Sequence, residues 1–121
     1  MSLLIHYVMN SYQMSTSFIL KYIVEPLKES KLSMLHEFEV TTISALSKGL
    51  YIYELEAETK NIEFELSKLM ISKMTKDISD LSDKEVVKVI QDYNLTRNGS
   101  RELYIFFEEV VRIRYLRGYN Q

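Results

Sequence analysis

The side chains that most often perform catalysis or bind metals are sparse in this chain. It has no cysteine and only two histidines, His6 and His36, so neither a thiolate nucleophile nor a cysteine-based metal site can form. His36 and its neighbour Glu37 would need further ligands at a defined spacing to hold a metal ion, and the sequence supplies none. We therefore expect His36 to be a surface residue near the start of a helix, and we expect no metal or cofactor.

A cluster of glutamates in the middle of the chain is the largest group of candidate acid–base residues. Paired carboxylates can act as acid and base when burial separates their pKa values, but these alternate with lysines, which predicts a solvated helix surface. Serines occur without the motifs that activate a nucleophile, and three glycines are too few for a phosphate-binding loop. The sequence argues against an enzyme, which remains a third hypothesis. The glutamates are Glu54, Glu56, Glu58, Glu63 and Glu65.

Length and composition indicate a single α-helical domain over residues 1–121. The chain has three glycines and one proline, and 46% of it is hydrophobic, as expected for a globular bundle with few turns. The net charge of -2 predicts no general attraction to nucleic acid or to anionic membranes. No apolar run approaches the roughly 20 residues of a membrane span.

The absence of cysteine favours an intracellular, cytoplasmic location. The first residues lack the basic segment and cleavage site of a secretory signal. Met9 and Met14 are alternative starts. If Met14 is the natural start, residues 1–13 are a non-native extension.

Helix signals recur in the first half of the chain. Ser15 or Thr16 can cap a short helix that Pro26 ends, because the residue before a proline is pushed out of the α region. Residues 27–32 are polar and predict a connector. Ser33 then caps a second helix; a strand is conceivable over the β-branched FEVTTIS, but continued helical spacing favours a helix. The residues at that spacing are Leu35, Phe38, Thr42, Leu46 and Leu50.

The strongest helical pattern runs from Leu50 to Asp77 without a helix breaker. It predicts one long central helix. An unbroken helix of this length exceeds the dimensions of a compact domain. Either Gly49 separates it from the preceding helix, or helices project and need a covering partner. The apolar residues at helical spacing are Leu55, Ile62, Leu66, Leu69, Met70, Met74, Ile78 and Leu81.

Capping signals define the last two helices. Ser82 and Glu85 form an S-x-x-E capping box before an apolar run. An Asn-Gly pair predicts a turn, after which Ser100 caps the last helix and Gly118 ends it. The chain is therefore predicted to be one small bundle of about five helices. The stripe of the last helix is Leu103, Phe106, Phe107, Val110 and Arg114.

All five arginines lie within residues 97–121, where only three residues are acidic. Arginine beside aromatic residues can bind phosphate and stack on bases, so Arg112, Arg114 and Arg117 are candidate nucleic-acid contacts. Glu108 is spaced for an i,i+4 pair with Arg112, and cations suit the end of a helix. Nucleic-acid binding, as in a small subunit of a CRISPR effector or a viral protein, is the alternative hypothesis.

The apolar residues of the last helix predict a protein interface. Residues 104–107 form an almost all-round apolar turn, and a helix hydrophobic on most sides must be buried on most sides. Phe106 and Phe107 individually favour the core, but a partner chain or a second copy is a natural cover for the rest. Tyrosine and arginine are also enriched at interfaces. The predicted interface residues are Leu66, Leu69, Met70, Met74, Tyr104, Phe106, Phe107 and Val110.

Three motifs occur in order between residues 50 and 110. The long helix ends with L-x-x-L-M-x-x-K-M-x-K-x-I over residues 66–78, N-L-T follows at 94–96, and RELYIFFEEV occupies 101–110. This order resembles the α-helical domain of archaeal GINS subunits of the helical-domain-first type. Here RNGS is inserted between N-L-T and the acidic helix, and the small β-rich domain of that family does not follow by residue 121.

The resemblance implies a non-enzymatic subunit that pairs with a sister subunit in DNA replication. The assembly would bridge the replicative MCM helicase and a Cdc45/RecJ-like protein. We therefore predict an all-α interaction subunit that buries the helical faces of residues 62–81 and 103–116 against partner helices. A protein partner or a homo-oligomer is expected, with no membrane and no small-molecule substrate.

Overall fold

The computed structural model describes residues 2–11 and 13–116, and they form an all-α fold without a β-strand in these two ranges. The π-helical segment Leu20–Val24 joins α2 and α3 into one helix, and Arg112–Leu116 continues α7 as a π-helix. The prediction of an all-α bundle is confirmed, with six helices in the described ranges where about five were expected. The α-helices are α1 Ser2–Ser11, α2 Thr16–Ile19, α3 Glu25–Glu29, α4 Val40–Ile52, α5 Glu56–Asp77, α6 Asp83–Thr96 and α7 Arg101–Val111.

The most buried helix is α4, which packs against α1, α5 and α6. Every residue from 42 to 50 is buried. Gly49 lies inside α4 and does not end the helix. A glycine is needed at this position because α1 approaches α4 too closely to leave room for a side chain. A Cβ atom at Gly49 would lie 2.0 Å from the Met9 Sδ and 2.8 Å from the Met9 Cβ. The longest helix, α5, packs against α4 and α7.

Residues 2–11 contribute directly to this core. Ile5, Val8 and Met9 are fully buried. Side-chain hydrogen bonds add to the apolar contact: Lys48 Nζ donates to Asn10 Oδ1 at 2.8 Å. Residues 2–11, which belong to the segment considered as an extension, therefore pack against the core.

The predicted unbroken helix from Leu50 to Asp77 is wrong. α4 ends at Ile52, and Glu54 adopts a left-handed conformation with φ of 59° before α5 begins. The buried Leu55 fixes this break, since its N–H donates to the Leu50 carbonyl at 2.9 Å. α5 is also kinked at Thr59, whose Oγ1 donates to the Leu55 carbonyl at 2.6 Å, as threonines that bond to the preceding turn often do.

Pro26 does not end its helix, contrary to prediction. A proline lacks the N–H that an α-helix would donate four residues back, and the helix widens into the π-helical segment just before it. The Glu25 N–H donates to the Leu20 carbonyl, five residues back. Leu27, in the predicted connector, is fully buried, and burial on both sides of the proline stabilises the continuous helix.

The helix predicted to begin at Ser33 begins instead at Val40. Residues Ser33–Glu37 form a 3₁₀ turn, Phe38 is extended, and Glu39 precedes α4 without a side-chain cap. The strand considered for FEVTTIS is absent, because most of these residues lie in the first turns of α4. Leu35 and Phe38 are nevertheless buried as the spacing predicted.

The predicted caps at Ser15, Ser82 and Ser100 are confirmed, whereas Ser33 caps no helix. The side chains of Ser15 and Ser100 each accept a backbone N–H three residues ahead. Ser82 and Glu85 exchange two hydrogen bonds, Glu85 N–H to Ser82 Oγ at 3.1 Å and Ser82 N–H to Glu85 Oε1 at 3.0 Å. These signals are local, so the sequence alone was sufficient to identify them.

The connection between α6 and α7 uses a different residue from the expected one. Arg97 takes the left-handed conformation at the end of α6, with φ of 56°, whereas Gly99 has no positive φ. Asn98 holds the connection through its side chain, donating to the Ser47 carbonyl at 2.8 Å. Gly118, the predicted end of the last helix, lies outside the described residues.

Candidate protein interface

Most of the predicted interface residues of α5 lie inside the bundle. Leu66, Met70 and Met74 are fully buried in the hydrophobic core. They cannot present a surface to a partner in this conformation, which corrects the sequence-based assignment. Leu69 is half-buried and lines an open groove.

The predicted interface residues of α7 divide in the same way. Phe107 and Val110 are buried in the chain's own core, so their assignment is also corrected, whereas Tyr104 and Phe106 are half-buried. The Phe107 ring lies 5.7 Å from the Tyr93 ring, 6.2 Å from Tyr104 and 6.3 Å from Phe106, centroid to centroid. This aromatic cluster holds α7 against α6.

Two tyrosine hydroxyls fix the connection between α6 and α7. The Tyr104 hydroxyl donates to the Tyr93 carbonyl at 3.0 Å and accepts the Gly99 N–H at 3.1 Å. The Tyr93 hydroxyl lies 2.7 Å from Ser47 Oγ on α4. Burial raises the pKa of both phenols, so they stay neutral and serve as hydrogen-bonding groups.

An apolar face of the C-terminal helix remains uncovered. Ile105, Ile113 and Leu116 are 55%, 56% and 52% exposed. A single exposed aliphatic residue is ordinary, but three on one helix suggest a contact surface. Ile105 and Leu116 are eleven residues apart, about three helical turns, which places them on the same side. The all-round apolar turn predicts the phenylalanines as interface residues, but Ile105 is the residue that lies opposite the stripe that fills the core.

A groove of about 510 Å³ runs between α6 and α7 and shares Leu116 with this face. Its apolar part includes Ile90 of α6 and Val111 of α7. Glu108 and Arg112 border it with opposite charges. The complete lining is Ile90, Asn94, Tyr104, Phe107, Glu108, Val111, Arg112 and Leu116.

Arg114 faces the fold and does not present its guanidinium freely. Its Nε lies 3.0 Å from Asp83 Oδ1 at the start of α6. The guanidinium also donates to the carbonyls of Ile78 and Leu81, just beyond α5. A cation suits these carbonyls, because the C-terminal end of a helix carries partial negative charge. The side chain chosen as a nucleic-acid contact therefore links three helices.

Of the other two candidate nucleic-acid contacts, the structure describes only Arg112. Arg112 is exposed and pairs with Glu109, three residues earlier, instead of the predicted Glu108. Arg117 lies outside the described residues. The geometry thus leaves Arg112 as the one exposed member of the set within the described residues.

A buried ionic cluster joins α4 to α6 and was not predicted. Asp92 Oδ2 accepts a hydrogen bond from Ser44 Oγ at 2.9 Å, and its Oδ1 lies 2.7 Å from Lys88 Nζ and 3.5 Å from Lys48 Nζ. The Lys48 and Asp92 side chains are only 7% and 5% exposed. The signal in the sequence was Lys48 within the apolar α4. A buried charge needs a partner, so this lysine indicates a carboxylate packed against α4.

This cluster combines a serine, lysines and a carboxylate, but its geometry serves packing. The carboxylate of Asp92 is enclosed and already shared by Ser44, Lys88 and Lys48. Within the described residues, no buried side-chain nitrogen or oxygen lacks a hydrogen-bond partner. The cluster therefore fixes the orientation of α6 on α4.

The two histidines have different surroundings. His6 Nε2 lies 2.9 Å from Thr42 Oγ1, between α1 and α4. His36 is exposed on the 3₁₀ turn, as predicted, and its carbonyl accepts a hydrogen bond from Lys73 Nζ at 2.6 Å. Burial lowers the pKa of Lys73. In the ranges that the structure describes, no group of three or more metal-ligating side chains is assembled.

Comparisons of the chain with protein-family models, curated proteins and solved structures find no match. Among the described helices, none combines the length and the apolar character needed to cross a membrane.

Proposed function

We propose that this protein is a non-enzymatic helical interaction subunit that binds an amphipathic helix of another protein chain. The binding site is its C-terminal surface, which we define as the α6–α7 groove together with Ile105, Ile113 and Leu116. The observation that carries the proposal is the exposure of these three aliphatic side chains, each more than half uncovered on a helix whose other face fills the core.

The chemistry of the surface favours a helical partner. The groove can accept apolar side chains against Ile90 and Val111, while Glu108 and Arg112 border it. An apolar seam flanked by opposite charges is the arrangement by which paired helices select their partner and its orientation. Tyr104 gives the groove a rigid wall, because both its hydroxyl contacts are internal.

The resemblance to archaeal GINS subunits adds a specific form of the proposal. In that form, the partner helix belongs to a sister subunit, and the assembly connects the MCM helicase with a Cdc45/RecJ-like protein. The motifs at residues 66–78, 94–96 and 101–110 support this form.

Nucleic-acid binding is the less favoured alternative. Arg114 is engaged in an internal ion pair, and Arg112 pairs with a neighbouring glutamate. Binding through several arginines would weaken steeply as the salt concentration rises, whereas an apolar interface would persist. Replacing Arg112, Arg114 and Arg117 together by alanine distinguishes the two hypotheses. The retention of nucleic acid should be lost only if the protein binds nucleic acid through these arginines.

Affinity capture from the native host tests the proposal. The wild-type chain should retain a partner at high salt, and the double variant I105E/I113E should lose it, because a charge in an apolar seam opposes burial. L3E is the control for a glutamate placed elsewhere on the surface, since Leu3 is an exposed leucine on α1, 86% uncovered. Equal capture by all three proteins, or a monomer at tens of micromolar that captures nothing, would contradict the proposal.

A further inference from the structure

A second groove lies between α5 and the turn that precedes α4. Its volume is about 600 Å³. It shares no lining residue with the C-terminal surface. Its lining is Lys31, Leu32, Leu35, His36, Asn61, Phe64, Glu65, Lys68, Leu69 and Ser72, and we call it the Phe64 groove.

The floor of the Phe64 groove is apolar and its rim carries an exposed aromatic ring. Leu35 is almost completely buried, and Leu32 and Leu69 are half-buried. Phe64 is 60% exposed. Lys68 Nζ lies 5.1 Å from the centroid of its ring, within the range of a cation–π contact. A large apolar side chain entering here would contact carbon on both walls.

The turn that forms one wall is held in a conformation that side chains rarely adopt. Lys31 and Leu32 are left-handed, with φ of 55° and 66°. The Leu32 N–H donates to the Leu27 carbonyl at 2.9 Å, and Ser30 Oγ donates to the same carbonyl at 2.9 Å. Lys73 ties the following residues to α5 through the carbonyl of His36. The wall is thus built before any ligand arrives, which lowers the cost of ordering it on binding.

The edges of the groove are positively charged in a chain of net charge -2. Lys31 and Lys68 line it, and Lys28 and Lys60 line the adjoining depression, which shares Leu32 and Asn61 with it. These four lysines are accompanied by two glutamates, Glu58 and Glu65. Glu65 lies 3.7 Å from Lys68, so Lys28, Lys31 and Lys60 supply the remaining positive charge, which Glu58 partly offsets.

We propose that the Phe64 groove binds an acidic peptide segment of a partner protein that carries large apolar side chains. An apolar side chain would rest on Leu35 and Leu69 against Phe64, and carboxylates beside it would face Lys31 and Lys60. A nucleic acid fits less well, because the floor is aliphatic and suits an apolar side chain better than a charged phosphate. This binding activity is separate from the proposed helix docking at the C-terminal surface.

Fluorescence anisotropy with three short synthetic peptides tests the proposal on the full chain. The first peptide combines leucines at helical spacing with glutamates, the second combines the same leucines with lysines, and the third has glutamates without leucines. The first should bind and the other two should bind at least about tenfold more weakly. A labelled thymidine oligonucleotide is the fourth probe, and its preferential binding would overturn the proposal.

Variants locate the binding to the groove. F64A should lower the affinity for the acidic–apolar peptide by about tenfold or more, because it removes the exposed aromatic wall of the groove. K31E/K60E should lower the affinity by a similar factor and reduce its dependence on salt concentration. The exchange at Lys31 leaves the strain of its left-handed backbone unchanged, because both residues are non-glycine. K76E/K84E is the matched control, since both lysines are exposed, lie outside the groove and give the same change in net charge. Equal affinity of all variants, or no binding by the wild type, would overturn the proposal.

Discussion

Arg114 and Asp83 form an ion pair across the bundle, with Arg114 Nε 3.0 Å from Asp83 Oδ1. The same guanidinium donates to the carbonyl of Leu81, at the end of the connection between α5 and α6. Because one side chain joins the C-terminal helix to this connection, Arg114 has a structural role that its position among clustered arginines did not reveal. Arg112, two residues earlier, contacts only its own helix in the interactions described.

R114A should lower the free energy of unfolding by about 1–2 kcal/mol, because it removes charge-assisted hydrogen bonds from a partly buried site. Asp83 is 70% exposed, so screening keeps the effect below that of a buried pair. R112A is the control and should change stability by less than about 0.5 kcal/mol. Urea denaturation monitored by circular dichroism measures both. Equal destabilisation by the two variants would contradict the assigned role of Arg114.

D92A should destabilise the protein by about 3 kcal/mol or more, because it leaves Lys48 buried without its carboxylate and removes the acceptor of Ser44. K88A removes the outer cation of the same cluster and should cost about 1 kcal/mol or less, since Lys88 is 41% exposed. Denaturant unfolding of both variants gives the comparison. A small effect of D92A would show that the cluster does not stabilise the α4–α6 contact.

Local signals in the sequence predicted the helix caps, whereas tertiary contacts decided the helix boundaries. Ser82 and Glu85 need only each other, so their motif was sufficient. Glu54 and Leu32 are left-handed without being glycine. No propensity predicts this, because the causes are the burial of Leu55 beside Glu54 and the hydrogen bond from the Leu32 N–H to the Leu27 carbonyl. Pro26 predicts the end of its helix, but the buried residues around it stabilise a helix that continues through a widened, π-helical turn.

The sequence identified the helix that carries the candidate interface but not the individual residues of that interface. The C-terminal helix was identified from its apolar turn, but periodicity cannot show which face neighbouring helices cover. The structure buries Phe107 and exposes Ile105 and Ile113. The Phe64 groove depends on a left-handed turn meeting α5, a juxtaposition that no local pattern encodes.

G49A should destabilise the protein by about 1–2 kcal/mol, because overpacking against Met9 exceeds the gain in helix propensity from alanine. The nearest atoms include the Met9 Cβ at 2.8 Å, which a change of rotamer cannot move. In the double variant G49A/M9A the close contacts with the Met9 Sδ and Cγ are absent and only the contact with the Cβ remains, so the two effects should be less than additive. Thermal unfolding of the single and double variants provides the cycle. Strict additivity would indicate that α1 does not approach α4 so closely.

The capping box predicts a pH dependence of stability. Hydrogen bonds from Ser82 lower the pKa of Glu85 in the folded chain. A folded pKa below the unfolded value of about 4.3 means that the contribution of Glu85 is complete above that pH. It is lost as the pH falls through the folded pKa. E85Q should therefore have a smaller decrease in stability than the wild type as the pH falls below about 4.3. Identical pH profiles from acid titrations of the melting temperature would contradict this assignment.

The C-terminal surface is tested most directly by the dissociation constant of the complex between this chain and the protein that it captures. Isothermal titration calorimetry should give at least about tenfold weaker binding for I105E/I113E than for the wild type. L3E should bind as tightly as the wild type, and all three proteins should unfold at similar temperatures because the substituted residues are exposed. An unchanged dissociation constant for the folded I105E/I113E variant would contradict the account.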